Sequence, residues 1–156
     1  MIPDKMKNIG LTKRRRMKIG LLGGSFNPAH YGHVHISEAA LKLLNLDEVW
    51  WLITPQNPLK KNIKNAPLNK RVNSAKKLVK NRKIKIDSLE SKYSSNYTVN
   101  TLKNIIEQFR GTKFIWLMGA DNLAEIHKWY RWKYIFKTMP IAVFDRGNYS
   151  YSVFNS

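Results

Sequence analysis

Short apolar runs alternate with amphipathic segments along this chain of 156 residues. The run from Ile19 to Leu22 and the run from Glu48 to Ile53 each have the length of a buried strand. Between them, over residues 34–44, apolar residues recur at i, i+4, i+7 and i+8, which predicts one apolar helix face. That face comprises Ile36, Ala40, Leu43 and Leu44, and Asn45 is expected to close the helix. Two strands joined by a helix imply a βαβ unit with parallel strands and a right-handed crossover.

The alternation continues to residue 144. Further helices are predicted over residues 68–80 and 98–109, and further strands over residues 83–87, 114–118 and 140–144. The apolar positions of the first of these helices are Val72, Ala75, Leu78 and Val79, and those of the second are Val99, Leu102, Ile106 and Phe109, with Gly111 as its expected end. A short helix and the aromatic segment WYRWKYIF precede the last strand. This order predicts an α/β fold, a doubly wound, Rossmann-like parallel sheet with helices on both faces.

Composition narrows the class of protein. The chain contains no cysteine, which excludes disulfides, thiolate metal sites and cysteine nucleophiles. Its apolar runs are shorter than the roughly 18–20 residues that a membrane span needs, and residues 1–16 lack the apolar core of a secretory signal. A cytoplasmic protein is therefore expected. Residues 1–16 are polar and basic and are predicted to be a disordered extension before a domain at residues 17–156. Met1 and Met17 are both candidates for the residue at which translation begins.

The net charge is strongly positive. Lys and Arg number 28 against 10 Asp and Glu, which gives a formal charge of +18. Such a balance favours polyanionic partners, either nucleic acid or phosphorylated small molecules. A general abundance of lysine at solvated positions explains most of these residues equally well. Charge alone therefore does not select the partner.

A glycine turn links the first predicted strand to the first predicted helix. It consists of Gly23, Gly24, Ser25, Phe26 and the turn dipeptide Asn27-Pro28. Glycines let backbone N–H groups approach a phosphate closely, and a helix N-terminus adds partial positive charge. His30 and His33 at the helix start add two imidazoles that can contact a phosphate undergoing chemistry. The stretch therefore predicts an anion-binding corner and favours a nucleotide site.

The spacing in this corner excludes two common nucleotide motifs. It matches neither the G-x-x-x-x-G-K-[ST] pattern of P-loops nor the G-x-G-x-x-G pattern of dinucleotide-binding folds. Two alternatives stay open: a metal site built on His30, His33 and His35, and a purely structural role for His30 and His33. The coincidence of a glycine turn and histidines at one strand end favours the phosphate interpretation.

Several stretches of the chain resemble one family. His30-Tyr31-Gly32-His33 resembles the (H/T)-x-G-H signature of the nucleotidyltransferase superfamily, and the longer GGSFNPAHYGH resembles the nicotinate-nucleotide adenylyltransferase family. Residues 54–60 are similar to the N-P-x-K loop of that family, and residues 96–102 to its S-Y-T-x-D-T-L segment, with Asn100 where the family usually has Asp. Residues 119–121 and 129–132 are similar to its G-x-D…W-x-x-W block. The resemblance thus runs from residue 17 to about residue 147.

The resemblance implies transfer of AMP from ATP to the 5′-phosphate of nicotinate mononucleotide, giving nicotinate adenine dinucleotide and pyrophosphate. It implies no covalent intermediate, so catalysis would consist of positioning and of stabilising charge in an in-line displacement. His30 and His33 would act at the α-phosphate and pyrophosphate, and Lys60 would add a charge on the loop over the phosphates. By the same resemblance, the phosphates would be bound by Gly23, Gly24, Ser25, Phe26, His30 and His33. A Mg²⁺ ion bridging the triphosphate is expected, held largely by substrate and water.

The second substrate would lie at a neighbouring edge of the sheet. The residues that the resemblance assigns to it are Thr98, Asp121, Trp129 and Tyr130. The backbone N–H of Thr98 would bind the nicotinate carboxylate, Trp129 would stack on the pyridine ring, and Asp121 would hydrogen-bond a ribose. Three alternatives stay open: a core role for Trp129, a helix-capping role for Asp121 and an N-cap role for Thr98. Nicotinate and nicotinamide mononucleotide need a similar pocket, and the sequence does not separate them.

The chain departs from the family pattern near its carboxyl end. The family continues past the strand at residues 140–144 to a segment resembling I-S-S-T-x-I-R, which helps to bind the triphosphate, and residues 145–156 contain no such motif. One alternative is therefore a shortened, inactive remnant of the enzyme that lacks the usual C-terminal part of the domain. A basic nucleic-acid-binding domain is the least favoured alternative, because no base-stacking or groove-reading motif accompanies the charge. No membrane partner is expected, and a homo-oligomer is left open.

Overall fold

The structure is a computed structural model that describes residues 16–54, 66–87, 98–129, 131–145 and 151–154. Its strands are β1 (Lys18–Gly24), β2 (Glu48–Ile53), β3 (Ile84–Asp87), β4 (Lys113–Gly119), β5 (Ile141–Phe144) and β6 (Tyr151–Phe154). Its helices are α1 (Tyr31–Leu43), α2 (Leu68–Leu78), α3 (Thr98–Gln108), α4 (Ala120–Leu123) and α5 (Trp132–Thr138), with a 3-10 helix at Ile126–Lys128. The predicted basic extension lies outside these ranges, except for Arg16.

One sheet organises the described ranges. It has six strands in the order β3-β2-β1-β4-β5-β6. The first five are parallel to their neighbours, whereas β6 is antiparallel to β5, with Phe144 opposite Tyr151. The chain builds outward from β1 through β2 to β3, then returns to place β4 on the other side of β1. The predicted doubly wound α/β fold is confirmed, and β6 is a strand that the sequence pattern did not predict.

The two faces of the sheet carry separate apolar cores. Successive residues of a strand point to opposite faces, so Leu21 lies in a cluster with Trp50 and Trp116, and Leu22 lies in another. Residues of α3 and α5 cover the first cluster, and residues of α1 and α2 cover the second. Burial on both faces explains why the strands appear in the sequence as unbroken apolar runs rather than as alternating patterns.

The predicted helix faces are correct in part. Leu43 was expected on the buried face of α1, but it is 42% exposed. In α3, Ile105 is fully buried and Ile106 is only partly buried, the reverse of the prediction. Positions i+3 and i+4 lie on the same helix face, and the neighbouring elements decide which of them faces the core. The bounds also differ, because α1 begins at Tyr31 rather than Val34 and α2 ends at Leu78 rather than Lys80.

The predicted helix ends are confirmed. Asn45 follows α1 with φ of 52°, and Gly111 follows α3 with φ of 88°, both in the left-handed region that ends helices. Beyond α1, the Lys18 ammonium donates to the Leu44 carbonyl oxygen at 2.9 Å, and the Lys18 backbone N–H donates to the Asp47 carboxylate at 2.8 Å. These bonds join the end of α1 to the start of β1. Among the described residues, no helix is long and apolar enough to cross a membrane.

Candidate active site

The candidate site lies where the strand order reverses. Strands β1 and β4 are neighbours, yet the chain leaves them toward opposite sides of the sheet. In open α/β sheets, ligands bind outside the carboxyl ends of the strands at such a switch point. Both predicted edges lie there, because Gly24 ends β1 and Gly119 ends β4.

The corner after β1 is held in a strained conformation. Phe26 has φ of 48°, and a residue with a side chain costs roughly 1–2 kcal/mol in this left-handed region. The Phe26 ring is 2% exposed and stacks on Trp51, with centroids 4.9 Å apart and planes 22° apart. Backbone outliers that the surroundings hold in place are concentrated at functional sites. The buried ring therefore holds Phe26 in its unfavourable backbone conformation, which makes this corner a candidate functional site.

Two histidines cap the helix that begins at this corner. His30 is the N-cap of α1, and its Nδ1 accepts a hydrogen bond from the Gly32 backbone N–H at 3.0 Å. The Nδ1 of His33 accepts from the His30 backbone N–H at 3.1 Å, which completes a capping box. Because both Nδ1 atoms are acceptors, the neutral rings carry their proton on Nε2. The sequence therefore folds into a helix start with two fixed Nε2–H donors.

The two imidazoles belong to an aromatic column. The His30 and His33 ring centroids lie 4.0 Å apart, and His33 lies 4.4 Å from Phe26. Ser37 links Trp51 to the backbone of His33. Its Oγ accepts a hydrogen bond from Trp51 Nε1 at 2.7 Å and donates one to the His33 carbonyl oxygen at 2.8 Å. His30 is exposed and His33 is half-buried. The histidines are thus held by packing on one side and open to solvent on the other.

The three glycines of the motif differ in what a side chain at their position would contact. A Cβ on Gly32 would lie 2.7 Å from His30 Cε1, so glycine is needed for the imidazole to reach its capping position. A Cβ on Gly23 would lie 2.4 Å from Trp116 Cη2, which gives Gly23 a packing role and leaves its phosphate contact a prediction. A Cβ on Gly24 would have Phe26 as its nearest neighbour at 3.6 Å, an ordinary contact. Among the described residues, packing thus does not require glycine at position 24, which agrees with backbone left open to a ligand.

A buried arginine ties the corner to the end of β2. Arg71 on α2 is 3% exposed, and its Nη1 donates to the carbonyl oxygens of Ser25 at 2.8 Å and Thr54 at 2.7 Å. Its Nε donates to the Ala66 carbonyl oxygen at 2.7 Å. Burial lowers the pKa of Arg71 below its ordinary value, and a guanidinium keeps its charge in proteins nonetheless. The sequence pattern missed this residue. Its only signal was an Arg beside Val72 on the apolar side of the predicted helix.

The second edge lies after β4. Asp121 is exposed and is the second residue of α4, whose N-cap is Gly119, with no side-chain capping bond. Asp121 therefore lies in the first turn of this helix rather than at its N-cap position. A Cβ on Gly119 would lie 2.7 Å from Asp121 Oδ1 and 3.7 Å from Ile36 Cδ1. Because Ile36 is one turn beyond His33 on α1, the two edges are adjacent.

The predicted acceptor residues are placed in part. Trp129 is half-buried and meets Trp116 edge-on, with centroids 6.3 Å apart and planes 87° apart. The structure thus shows Trp129 against the core, and its stacking on a pyridine ring stays a prediction. Thr98 is the first residue of α3, and its backbone N–H is one of the four that lack an acceptor inside a helix. Lys60 and Tyr130 lie outside the described residues.

A metal site on His30, His33 and His35 was an alternative left open by the sequence. No group of three or more His, Cys, Asp or Glu side chains there is arranged to hold a metal ion. In addition, the Nδ1 atoms of His30 and His33 are engaged by backbone N–H groups. Two of the three histidines of the metal alternative therefore already use one ring nitrogen each to cap the helix.

Comparison with known proteins agrees with this geometry. Residues 21–154 match the cytidylyltransferase-like family. A probable nicotinate-nucleotide adenylyltransferase of Parvibaculum lavamentivorans is 46% identical over 134 residues, which cover 86% of this chain and 67% of that protein. A second, of Methylorubrum extorquens, is 47% identical over 134 residues, which cover 86% of this chain and 72% of that protein. The chain belongs to the nicotinate-nucleotide adenylyltransferase family. The resemblance that its motifs predicted is thus confirmed.

The fold of this nicotinate-nucleotide adenylyltransferase family member also has solved counterparts. The nicotinic acid mononucleotide adenylyltransferase of Plasmodium falciparum, complexed with NaAD, superimposes with a TM-score of 0.73 at 21% sequence identity. The alignment covers 86% of this chain and 67% of that one. This likeness confirms the α/β architecture. The family places the chain among nucleotidyltransferases of NAD biosynthesis.

Proposed function

We propose that this chain transfers the adenylyl group of ATP to nicotinate mononucleotide, forming nicotinate adenine dinucleotide and pyrophosphate. An oxygen of the acceptor 5′-phosphate attacks the α-phosphorus of ATP. The bond from the α-phosphorus to the oxygen that bridges it to the β-phosphorus breaks, and that oxygen leaves with its electron pair as part of pyrophosphate. The reaction needs positioned donors rather than a protein nucleophile.

The observation that carries the proposal is the pair of capped histidines at the switch point. His30 and His33 each use Nδ1 to accept a backbone N–H, so the proton of each neutral ring is on Nε2. Donors fixed before the reaction stabilise charge as it develops, because they need no reorganisation. In the proposed role, both Nε2–H groups donate to oxygens of the α-phosphate and of the departing pyrophosphate. The backbone of Gly24, Ser25 and Phe26 and the side chain of Lys60 complete the phosphate site.

The divalent ion enters with the nucleotide, as part of the substrate MgATP. Mg²⁺ prefers oxygen ligands and keeps several waters, so triphosphate oxygens and water suffice to hold it. This fits a site whose described residues offer no cluster of metal ligands. The ion neutralises phosphate charge, while the residues of the corner orient the α-phosphate.

The acceptor site lies beside the first, at the end of β4. In this proposal the Thr98 backbone N–H binds the nicotinate carboxylate at the positive end of α3. Trp129 contacts the pyridine ring, Asp121 binds a ribose hydroxyl, and Tyr130 contributes to the same pocket. The proximity of the α1 residue Ile36 to Gly119 supports two adjacent nucleotide sites. The Plasmodium falciparum structure with NaAD supports a dinucleotide product on this fold.

The direct test is product formation by the purified chain. With ATP, Mg²⁺ and nicotinate mononucleotide, we expect pyrophosphate release and a dinucleotide identified by mass spectrometry, both requiring each substrate. A parallel reaction with nicotinamide mononucleotide reports which acceptor is used. The absence of product from folded chain would contradict the proposal and favour the inactive remnant. Faster reaction with nicotinamide mononucleotide would assign a different acceptor.

A further inference from the structure

We infer that Arg71 is a positioning residue for phosphate binding, acting through the Ser25–Phe26 peptide group. The inference rests on the proposed function, because it concerns how the corner binds the triphosphate. Three hydrogen bonds of the Arg71 side chain go to backbone carbonyl oxygens, and one of these oxygens, that of Ser25, belongs to the corner.

The geometry of a peptide group links Arg71 to a predicted phosphate donor. The Ser25 carbonyl and the Phe26 N–H belong to one peptide unit, which is planar and, when trans, has its C=O and N–H pointing in opposite directions. Among the described residues, the cis bond is the one between Asn27 and Pro28. The Ser25–Phe26 unit is therefore trans, and Phe26 N–H points away from the buried guanidinium that holds the Ser25 oxygen.

A charged donor on the carbonyl changes the N–H in two ways. It fixes the plane of the peptide at a residue whose φ of 48° is otherwise unfavourable. It also polarises the peptide, because hydrogen bonds in series strengthen one another in a low-dielectric environment. Arg71 is 3% exposed, so its charge is little screened by water. Phe26 N–H thus becomes a better oriented and stronger donor for a phosphate oxygen.

The same guanidinium joins three segments at this point. Besides Ser25, it holds the carbonyl oxygens of Thr54, directly after β2, and of Ala66, before α2. The Asn27 Oδ1 atom accepts from the Ala66 backbone N–H at 3.2 Å, a second link between the corner and this segment. A lysine in place of Arg71 keeps the charge but loses the planar fork that reaches several acceptors at once. Arg71→Lys therefore separates charge from geometry.

The test uses inorganic tripolyphosphate, which requires no adenylyl transfer. In wild-type chain labelled with ¹⁵N, the Phe26 amide signal is expected among the largest shifts on titration with tripolyphosphate. Arg71→Lys is expected to weaken tripolyphosphate binding about tenfold, the size of a lost charge-assisted hydrogen bond. In the full reaction it should raise KM for ATP and leave KM for nicotinate mononucleotide unchanged. The control Arg82→Lys, at an exposed arginine, should change none of these values.

The possible outcomes distinguish a positioning role of Arg71 from a role in fold stability alone. A lowered unfolding temperature with unchanged tripolyphosphate affinity and KM values would mean that Arg71 only stabilises the fold, and would overturn the inference. A Phe26 amide that does not shift in wild-type chain, or no tripolyphosphate binding at all, would also overturn it, even if no Arg71 variant folds. If the chain binds tripolyphosphate in the Arg71-dependent way but makes no dinucleotide, the proposed function fails and this inference stands.

Discussion

The Nδ1 atom of His33 accepts a hydrogen bond from the backbone N–H of His30, at 3.1 Å. His30 in turn accepts from Gly32 with its own Nδ1, at 3.0 Å. One pair of side chains therefore both starts helix α1 and presents two Nε2–H groups at the carboxyl end of β1. Structure and proposed chemistry use different nitrogen atoms of the same rings, so substitutions can separate them.

Asparagine in place of His30 or His33 should remove the Nε2–H donor that the proposed reaction uses, while the helix cap is retained. Asn is among the best N-cap residues, so the free energy of unfolding of His30→Asn should stay within about 1 kcal/mol of wild type. Its short side chain cannot replace the Nε2–H group. Loss of one preorganised donor costs about 10²- to 10³-fold in rate, so we expect kcat for pyrophosphate release to fall by that factor in either variant.

The matched control is His127→Asn, at an exposed histidine of the 3-10 helix. Its rate and unfolding free energy should equal those of wild type. Both quantities are measured on each variant, the second by urea denaturation. Full activity in His30→Asn and His33→Asn would show that these histidines serve the helix alone.

The protonation state of the two rings can be observed directly. With both Nδ1 atoms accepting backbone N–H groups, the neutral forms of His30 and His33 should be Nε2–H tautomers. Nitrogen-15 chemical shifts of the imidazoles at mildly alkaline pH distinguish the tautomers. Assignment of the proton to Nδ1 in either ring would contradict the capping box, and with it the availability of that Nε2–H.

Alanine in place of Gly32 or Gly24 should lower activity, for a different reason at each position. In Gly32→Ala the new Cβ would lie 2.7 Å from His30 Cε1 and must displace the ring. The gain of about 1 kcal/mol in helix propensity offsets the weakened cap, so stability should change little while kcat falls. In Gly24→Ala the nearest described atom outside the two chain neighbours would be Phe26 Cε2, at 3.6 Å from the new Cβ.

Gly24→Ala should therefore fold normally and bind tripolyphosphate weakly, because its methyl group would occupy space that the phosphates approach. Isothermal titration measures the affinity, and thermal unfolding measures the stability of both variants. Wild-type affinity in Gly24→Ala would show that the phosphates do not approach this glycine.

Replacing each of two buried tryptophans by phenylalanine should lower the free energy of unfolding by different amounts. Trp51 Nε1 donates to Ser37 Oγ at 2.7 Å, whereas Trp116 Nε1 is buried and has no hydrogen-bond partner among the described residues. An unmet buried donor carries a penalty of about 1–3 kcal/mol. Trp116→Phe removes that penalty along with some packing, so it should destabilise the chain less than Trp51→Phe does.

Urea denaturation of the two variants measures this difference. The comparison is matched, because both indoles are at most 1% exposed and both lose the same atoms. An equal or larger loss in Trp116→Phe would mean that its N–H is satisfied in solution.

The strands of the parallel sheet could be predicted because both of its faces are covered, which requires unbroken apolar runs such as β2 and β4. Strand β6 could not, because Ser152, Val153 and Phe154 are exposed and no buried pattern marks an antiparallel edge. The prediction that Ile106 rather than Ile105 is the buried residue of α3 was wrong. Both positions satisfy helical periodicity, and only packing against the sheet separates them.

At the site, the chemistry-bearing residue types could be predicted but not how they are held. The motif around His30 and His33 predicted a phosphate site, yet histidine is not a common N-cap, so the capping box was not expected. Arg71 was missed because a charged residue in a helix is usually exposed. Its burial becomes intelligible only when the carbonyl oxygens of Ser25, Thr54 and Ala66 are seen to converge on it.

The sequence by itself determined the alternation of strands and helices, the family and the positions of the family motifs, because periodicity and motif spacing are local properties of the chain. The tertiary structure decided that β1 and β4 are neighbours, which brings Gly24 and Gly119 to one edge. It also decided that each histidine uses its Nδ1 atom to cap α1 and that the buried Arg71 binds the Ser25 carbonyl oxygen. These depend on contacts between segments distant in sequence, such as the hydrogen bond between Arg71 and Ser25, which are 46 positions apart.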